Sequence, residues 1–455
     1  MQERRILNEA QINQGLLNGV LGTPSWFWKA ALFLMTILGG GLTAIVVMIL
    51  FGLGVTGLGR PVFWGFMIVN FVFWVGISHA GVMISSILRL CQAEWRRPVT
   101  RAAEVLTVFS LATAAIFPLI HMGRMWRFYW VFPYDFDRMV WPDVRSPLIW
   151  DPSAIFTYLT GASMFVYMAL LPDLGILRDK TTGWRRRFYG GLSLGWRGNP
   201  RQFQLQFLLG VLLSGLILPV FVSVHSIVSW DFAVSLVPAW HATVFAPYFV
   251  IGAVHSGVSG VVTMMCILRV AFKWHDFIRP EHFDSLGRLL IPVATTWLYF
   301  FMLDVFFGIY GGESRELSVM NQRVFEFPWG FMLIGIVVLG YIIPVTAWLF
   351  RGVRRNIGLM FILSIMVNVS MWMERLWLIV PGLQNKERMP FDWQIYTPGL
   401  TEIMLVVASF ALVTFGVMLF SKFFPLIPVW EQKEGQVLHE EIQIGRRRVP
   451  AIIRE

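Results

Sequence analysis

Gly76-Ile77-Ser78-His79-Ala80-Gly81 sits in the middle of a long apolar run, and Gly252-Ala253-Val254-His255-Ser256-Gly257 repeats the pattern further along. Each motif is followed by a basic loop and then by three more apolar runs. An ionisable side chain at mid-depth of an apolar helix faces a polar interior or a partner, because hydrocarbon gives it neither water nor a counter-charge. The duplication therefore reads as a polytopic membrane protein built from two related helix bundles, with polar groups inside them.

Composition agrees. Hydrophobic residues make up 56% of the chain and charged residues 14%, where soluble domains carry about a quarter charged. Many of the 21 tryptophans lie near the ends of apolar runs, where indole anchors at the membrane interface. The net charge of +10 comes from short loops between these runs. Retention of those loops on the cytoplasmic side accounts for it, and nucleic-acid binding is set aside. Cys91 and Cys266 are too few for an iron–sulfur cluster, which takes three or four thiolates, and no disulfide is expected on the cytoplasmic side. Residues 1–25 are polar, without the apolar core or cleavage site of a signal peptide.

Apolar runs long enough to cross about 30 Å of hydrocarbon fall near 27–54, 62–91, 102–122, 153–172, 203–230, 241–270, 288–310, 328–350, 356–380 and 399–421. The fold class expected is an all-α polytopic membrane protein of about ten transmembrane helices. Loops on one face hold roughly threefold more Lys and Arg than those on the other, which places both termini in the cytoplasm. His79 and His255 lie on the second and sixth spans, which run in the same direction. Spans 2–5 (62–230) and 6–9 (241–380) then form two four-helix bundles, a parallel internal repeat about an axis along the membrane normal. Span 1 (27–61) and span 10 (399–421) flank them. Residues 1–26 form a cytoplasmic N-terminal segment. Residues 422–455, with Arg446, Arg447 and Arg448, form a cytoplasmic tail expected to be mobile.

Ionisable residues concentrate on the external side of the first bundle. His121 and Arg124 end span 3, Asp151 opens span 4, and His225 and Asp231 lie near the end of span 5. Oxidising a quinol removes two protons and two electrons. A histidine near its ordinary pKa takes a proton, and a carboxylate orients it or relays the proton outward. The candidate quinol-binding set is His121, Asp151, Arg124, Asp231, His225 and His79, with His121 and Asp151 as the catalytic pair and Trp126, Phe128, Tyr129 and Trp130 as apolar walls. Plainer readings stand beside these. Asp151 before Pro152 is also a helix N-cap, and His121 a cationic helix end with Gly123 as its stop. His79 and His255 beside small residues also read as hydrogen-bonding glue between close helices, and Asp231 as a loop residue.

In the second bundle and span 10, His255, Asp304, Glu374, Arg375 and Glu402 form a candidate proton path, although bundle-stabilising pairs look the same in sequence. Glu374 and Arg375 are adjacent and point to different sectors of the helix. A di-haem site is disfavoured: His241 and His255 share one face, but no other span has a matching histidine pair.

Phe73-Trp74-Val75-Gly76-Ile77-Ser78-His79-Ala80-Gly81, then Arg101-Ala102-Ala103-Glu104, then Ile116-Phe117-Pro118-Leu119-Ile120-His121-Met122-Gly123-Arg124, resemble the NrfD/PsrC family of quinone-interacting membrane subunits. Arg145-Ser146-Pro147-Leu148-Ile149-Trp150-Asp151 and Leu171-Pro172-Asp173-Leu174 extend the resemblance, which runs from about Trp26 to Phe424. Within the family the match is nearest the ActC-type subunits of the bacterial alternative complex III. The resemblance implies ten spans in the inner membrane and oxidation of menaquinol, as bound substrate, near the periplasmic face. It maps the quinol-site histidine and aspartate onto His121 and Asp151, with Asp231 as a third member. It implies c-type cytochrome subunits, an iron–sulfur cluster subunit and a paralogous NrfD-like membrane subunit as partners. A terminal oxidase or soluble carrier then receives the electrons, and this chain itself ligates no haem or cluster. The acidic and basic loop from Asp135 to Arg145 is a candidate partner contact. Two other classes compete: a secondary transporter with parallel repeats, and an NrfD-type anchor for another quinone-linked oxidoreductase.

Overall fold

A computed structural model of the chain describes residues 7–59, 62–132, 145–385, 396–437, 441–444 and 447–450. Most of the loop from Asp135 to Arg145, and Arg446 in the tail, lie outside these. Among the described residues ten helices are long and apolar enough to cross a membrane: Phe27–Phe51, Phe66–Leu90, Glu94–His121, Pro147–Lys180, Pro200–Ala233, Phe245–Ala271, Pro280–Tyr310, Trp329–Trp348, Ile357–Gln384 and Leu400–Phe423, spans 1 to 10. Only helices satisfy every backbone N–H and C=O within one crossing segment. A short antiparallel hairpin, Glu441–Ile444 with Arg447–Pro450, follows in the tail.

Several spans outrun their apolar stretches. Pro147, Pro200 and Pro280 each take the first helical position, where the missing N–H costs nothing and the fixed φ suits the helix. Span 4 therefore begins at Pro147 after Ser146. Asp151 is inside the helix rather than its N-cap. Span 5 runs to Ala233, so Asp231 is a helix residue rather than a loop residue. Span 6 begins only at Phe245, which leaves His241 off that helix.

Spans 2, 3, 4 and 5 touch in a ring, as do spans 6, 7, 8 and 9. Spans 1 and 10 pair with each other, and span 10 leans on spans 2 and 3. The rings meet where spans 2 and 5 pack on span 6 and span 9 packs on span 2, and the two histidine motifs lie in that seam. A Cβ on Gly257 would stand 2.9 Å from the Ala80 nitrogen, and one on Gly76 3.2 Å from Ser256 Oγ. Small residues are what let two helix backbones approach so closely.

Prolines inside spans leave carbonyls without helical donors, and neighbouring spans supply them. Gln206 Nε2 donates to Met168 O at 2.9 Å, the carbonyl that Pro172 cannot reach. His255 Nε2 donates to Gly340 O at 3.1 Å. Pro344, four residues on, has no N–H for that carbonyl, and the surrounding turn, Val338–Ile342, is widened to a π-helix.

Both ends of the chain meet on one face, the termini face. The N-terminal helix Glu9–Leu21 is amphipathic, with Ile12, Leu16, Leu17 and Val20 buried, and it touches span 10 and the C-terminal helix Val429–Val437. Residues just beyond span 10 are docked rather than free: Leu426, Ile427 and Val429 are buried. Asp173 accepts hydrogen bonds from Val429 N at 3.2 Å and Trp430 N at 3.1 Å and is ion-paired with Arg101, both side chains fully buried. Glu431 sits among Arg96 at 3.2 Å and Arg89 at 3.5 Å.

Candidate functional site

At the opposite face, Asp151 on span 4 and Asp231 on span 5 are both buried and lie close enough for their carboxyls to interact. Two buried carboxylates this close repel, and a proton held between them relieves the repulsion. The expected partnership of Asp151 with His121 is not formed. Asp151 faces span 5, and the buried Nδ1 of His121 has no hydrogen-bond partner among the described residues. His121 closes span 3. After it, Gly123 turns at φ +67 against Leu53, just beyond span 1, and the chain returns to span 4, where Phe132 stands 5.9 Å from Phe156. Arg124 is exposed. Trp126, Phe128, Tyr129 and Trp130 form an exposed aromatic rim instead of a closed wall, with the Arg127 guanidinium 4.6 Å over Trp130. A groove of about 500 Å³ lies between spans 4 and 5, bounded by Trp150, Ser153 and Ile227, and neither aspartate is part of its lining.

Deeper in the same ring His225 lies six residues before Asp231, about 9 Å along the helix. Its ring centroid is 4.6 Å from that of His79, and neither of its nitrogens has a well-aligned hydrogen-bond partner among the described residues. His79 sets Nδ1 2.6 Å from Val75 O and Nε2 3.1 Å from Phe221 O. A neutral imidazole donates only one of those bonds; the imidazolium donates both. Tyr158 and Thr107 both donate to Ser78 O, at 3.0 and 2.6 Å, and close the pocket around His79.

The first ring's histidines continue into the second ring. Phe249 stands 5.8 Å from the His225 ring and carries the Arg375 guanidinium 4.6 Å over its face. Arg375 and Glu374, expected to diverge, form an ion pair at 3.3 Å, because the long arginine stem reaches back along the helix. Glu374 also accepts from the Tyr248 hydroxyl and from Trp297 Nε1, and Trp297 stacks on His255 at 5.5 Å. Asp304 is buried and interacts electrostatically with Arg323 and Glu374. Glu402 stands apart from this series of contacts. It accepts from Gly57 N at 2.7 Å, Gly399 N at 3.0 Å and the Tyr396 hydroxyl at 2.9 Å, a clamp fixing span 10 to the linker after span 1. His241 pairs with Glu316 at 3.5 Å.

Several groups at these sites carry little signal in the sequence. Glu104 reads there only as part of a motif, yet it borders a small internal cavity with Ser85 and Ser86, where the π-helical turn Val82–Ile87 distorts span 2. Tyr248 and Trp297 do not stand out because an aromatic in an apolar run carries no polar signal, and Arg323 lies outside the spans. Among the described residues no group of three or more His, Cys, Asp or Glu is placed to hold a metal ion.

Residues 54–385 match the model of the family described as Polysulphide reductase, NrfD. A putative dimethyl sulfoxide reductase membrane subunit of Halobacterium salinarum is 26% identical over 375 residues, 80% of this chain and 79% of that protein. A selenate reductase subunit of Mesobacillus selenatarsenatis is 23% identical over 400 residues, 83% of this chain and 88% of the other. An Hdr-like menaquinol oxidoreductase integral membrane subunit of Archaeoglobus fulgidus is 21% identical over 413 residues, 85% and 90% of the two chains.

Proposed function

The chain belongs to the NrfD family of membrane subunits, and on that premise we propose that it is the quinol-oxidising membrane subunit of an oxidoreductase complex of the inner membrane, with both termini cytoplasmic. The observation that carries the reading is the buried Asp151–Asp231 pair, with the unpartnered His121 Nδ1 at the same end of the first ring. These are proton acceptors held out of water in an apolar wall, which is what a quinol hydroxyl needs to lose its proton. The groove between spans 4 and 5, on the same two helices as the acid pair, offers an apolar resting place for a prenyl tail. His121 takes one quinol proton, and the acid pair takes or relays the other towards the face opposite the termini. His225 and His79 continue the polar line inward. The two electrons leave for a partner iron–sulfur protein and thence to c-type cytochromes, a terminal oxidase or a soluble carrier, as in complexes of the alternative complex III type. A paralogous NrfD-like protein makes up the rest of the membrane part.

Menaquinol is the substrate of choice, in keeping with the relative named as a menaquinol oxidoreductase subunit. Relatives named as dimethyl sulfoxide and selenate reductase subunits fit the same direction of flow, since a reductase consumes electrons that a quinol supplies. They equally favour membership of such a reductase, with this chain as anchor and electron entry. Turnover of the purified complex with a menaquinol analogue separates catalysis from anchoring. Asp151→Asn and His121→Ala are each expected to lower it about 100-fold, the scale of a lost acid–base group, with assembly intact. Unchanged turnover contradicts the site and leaves the anchor reading.

A further inference from the structure

A second cavity, of about 740 Å³, lies far from the acid pair, where spans 1 and 10 face spans 2, 6 and 9. Its walls are almost wholly apolar, with Phe73 and Trp74 at the back and Val413 and Val417 on the span 10 side. Ile267, Val369 and Phe410 in its lining are exposed on the outer surface of the bundle, so it opens sideways into the bilayer. Apolar space of this kind does not hold water. The slot follows span 10 from Val406 to Ser421, about 22 Å of helix. That is the form of a chain-like occupant.

The slot has a polar mouth. Trp26, Ala271 and Phe272 line both the slot and a cavity of about 630 Å³ on the termini face. Trp26 Nε1 donates to Ala271 O at 3.1 Å and its ring meets Phe272 edge-on at 5.6 Å, so this neck is fixed. Lys273 and Asp276 line the mouth, and Lys422 reaches its rim through Gly22 O and Thr23 Oγ1. We propose that this paired mouth and slot bind one membrane glycerophospholipid, its phosphate beside Lys273 and an acyl chain along span 10. The lipid joins the outer helix pair to the second ring, where spans 1 and 9 leave a gap.

The test places a photo-crosslinking residue at Val369, in the slot, and at Leu216, on the exposed face of span 5, in the intact complex. Samples are illuminated after extensive detergent washing, and the adducts are identified by mass spectrometry. Phospholipid adducts are expected at least tenfold more often at Val369 than at Leu216, and Val369→Trp/Lys273→Glu, probed by lipid extraction, is expected to release one phospholipid per chain. Equal labelling at both positions, a quinone adduct or a polypeptide adduct at Val369 would each overturn the proposal.

Discussion

At the scale of single residues, the buried pair of Asp151 and Asp231 is the feature on which the proposed chemistry turns. Two adjoining carboxyls in an apolar wall favour holding one proton between them, so the proposed site is expected to keep a proton inside the membrane. A protonated-carboxyl infrared band is expected in the wild type, and the component belonging to the pair should be lost or shifted in Asp151→Asn. An unchanged band would place the shared proton elsewhere. Part of this site is legible in the sequence. Both aspartates and His225 stand out as ionisable groups near the ends of apolar runs. Their pairing does not, because it depends on how spans 4 and 5 are rotated about their axes and on where Pro147 starts the helix. The same limit hides the Arg375–Glu374 ion pair, since adjacency on a helix says nothing of how far an arginine stem bends back.

At the scale of elements, close helix contacts and a docked C-terminus hold the site in place. The glycines of the two histidine motifs are readable as packing positions, and the structure places them against each other. Gly257→Leu drives a side chain into the Ala80 backbone, and reduced recovery of assembled complex is expected on size-exclusion chromatography. On the termini face, Asp173→Ala strands the buried Arg101. Losing one partner of such a pair costs about 3–5 kcal/mol, so a lower melting temperature and protease cleavage within residues 425–437 are expected. Glu431 adds a pH dependence. Burial pushes its carboxyl pKa up, but Arg96, Arg89, Arg97 and Arg101 more than offset this and hold it below the usual range. A depressed carboxylate contributes stability that is present above its unfolded pKa of about 4.3. That contribution is lost as pH falls through the folded value. Hydrogen exchange over 425–437 should therefore stay slow at neutral pH and speed up only in acid. This docking is invisible in the sequence, where the tail carries the polar composition of a free segment.

At the scale of the whole molecule, a broken line of buried polar groups crosses both rings, with about 9 Å of helix between Asp231 and His225. It runs from Asp151 and Asp231 past His225 and His79, then across Phe249 to Arg375, Glu374 and Tyr248. The ten spans are plain in the sequence because length and hydropathy alone define them. The line is not, because Phe249 bridges the rings and carries no polar signal of its own. If this line conducts protons, Glu374→Gln should lower the protons moved per electron while quinol turnover stays within about twofold; an unchanged ratio would assign Glu374 to packing alone. His255, which satisfies the carbonyl that Pro344 leaves free, should instead affect stability when replaced.

On the proposed reading, quinol is oxidised at the end of the first ring, between spans 3, 4 and 5. Photolabelling of the intact complex with an azido-menaquinone, followed by peptide mapping, tests it most directly. Label confined to residues 117–125, 147–157 and 220–231, competed away by unlabelled menaquinol and reduced in Asp151→Asn, is the predicted result. Competable label confined to the second ring would contradict the account.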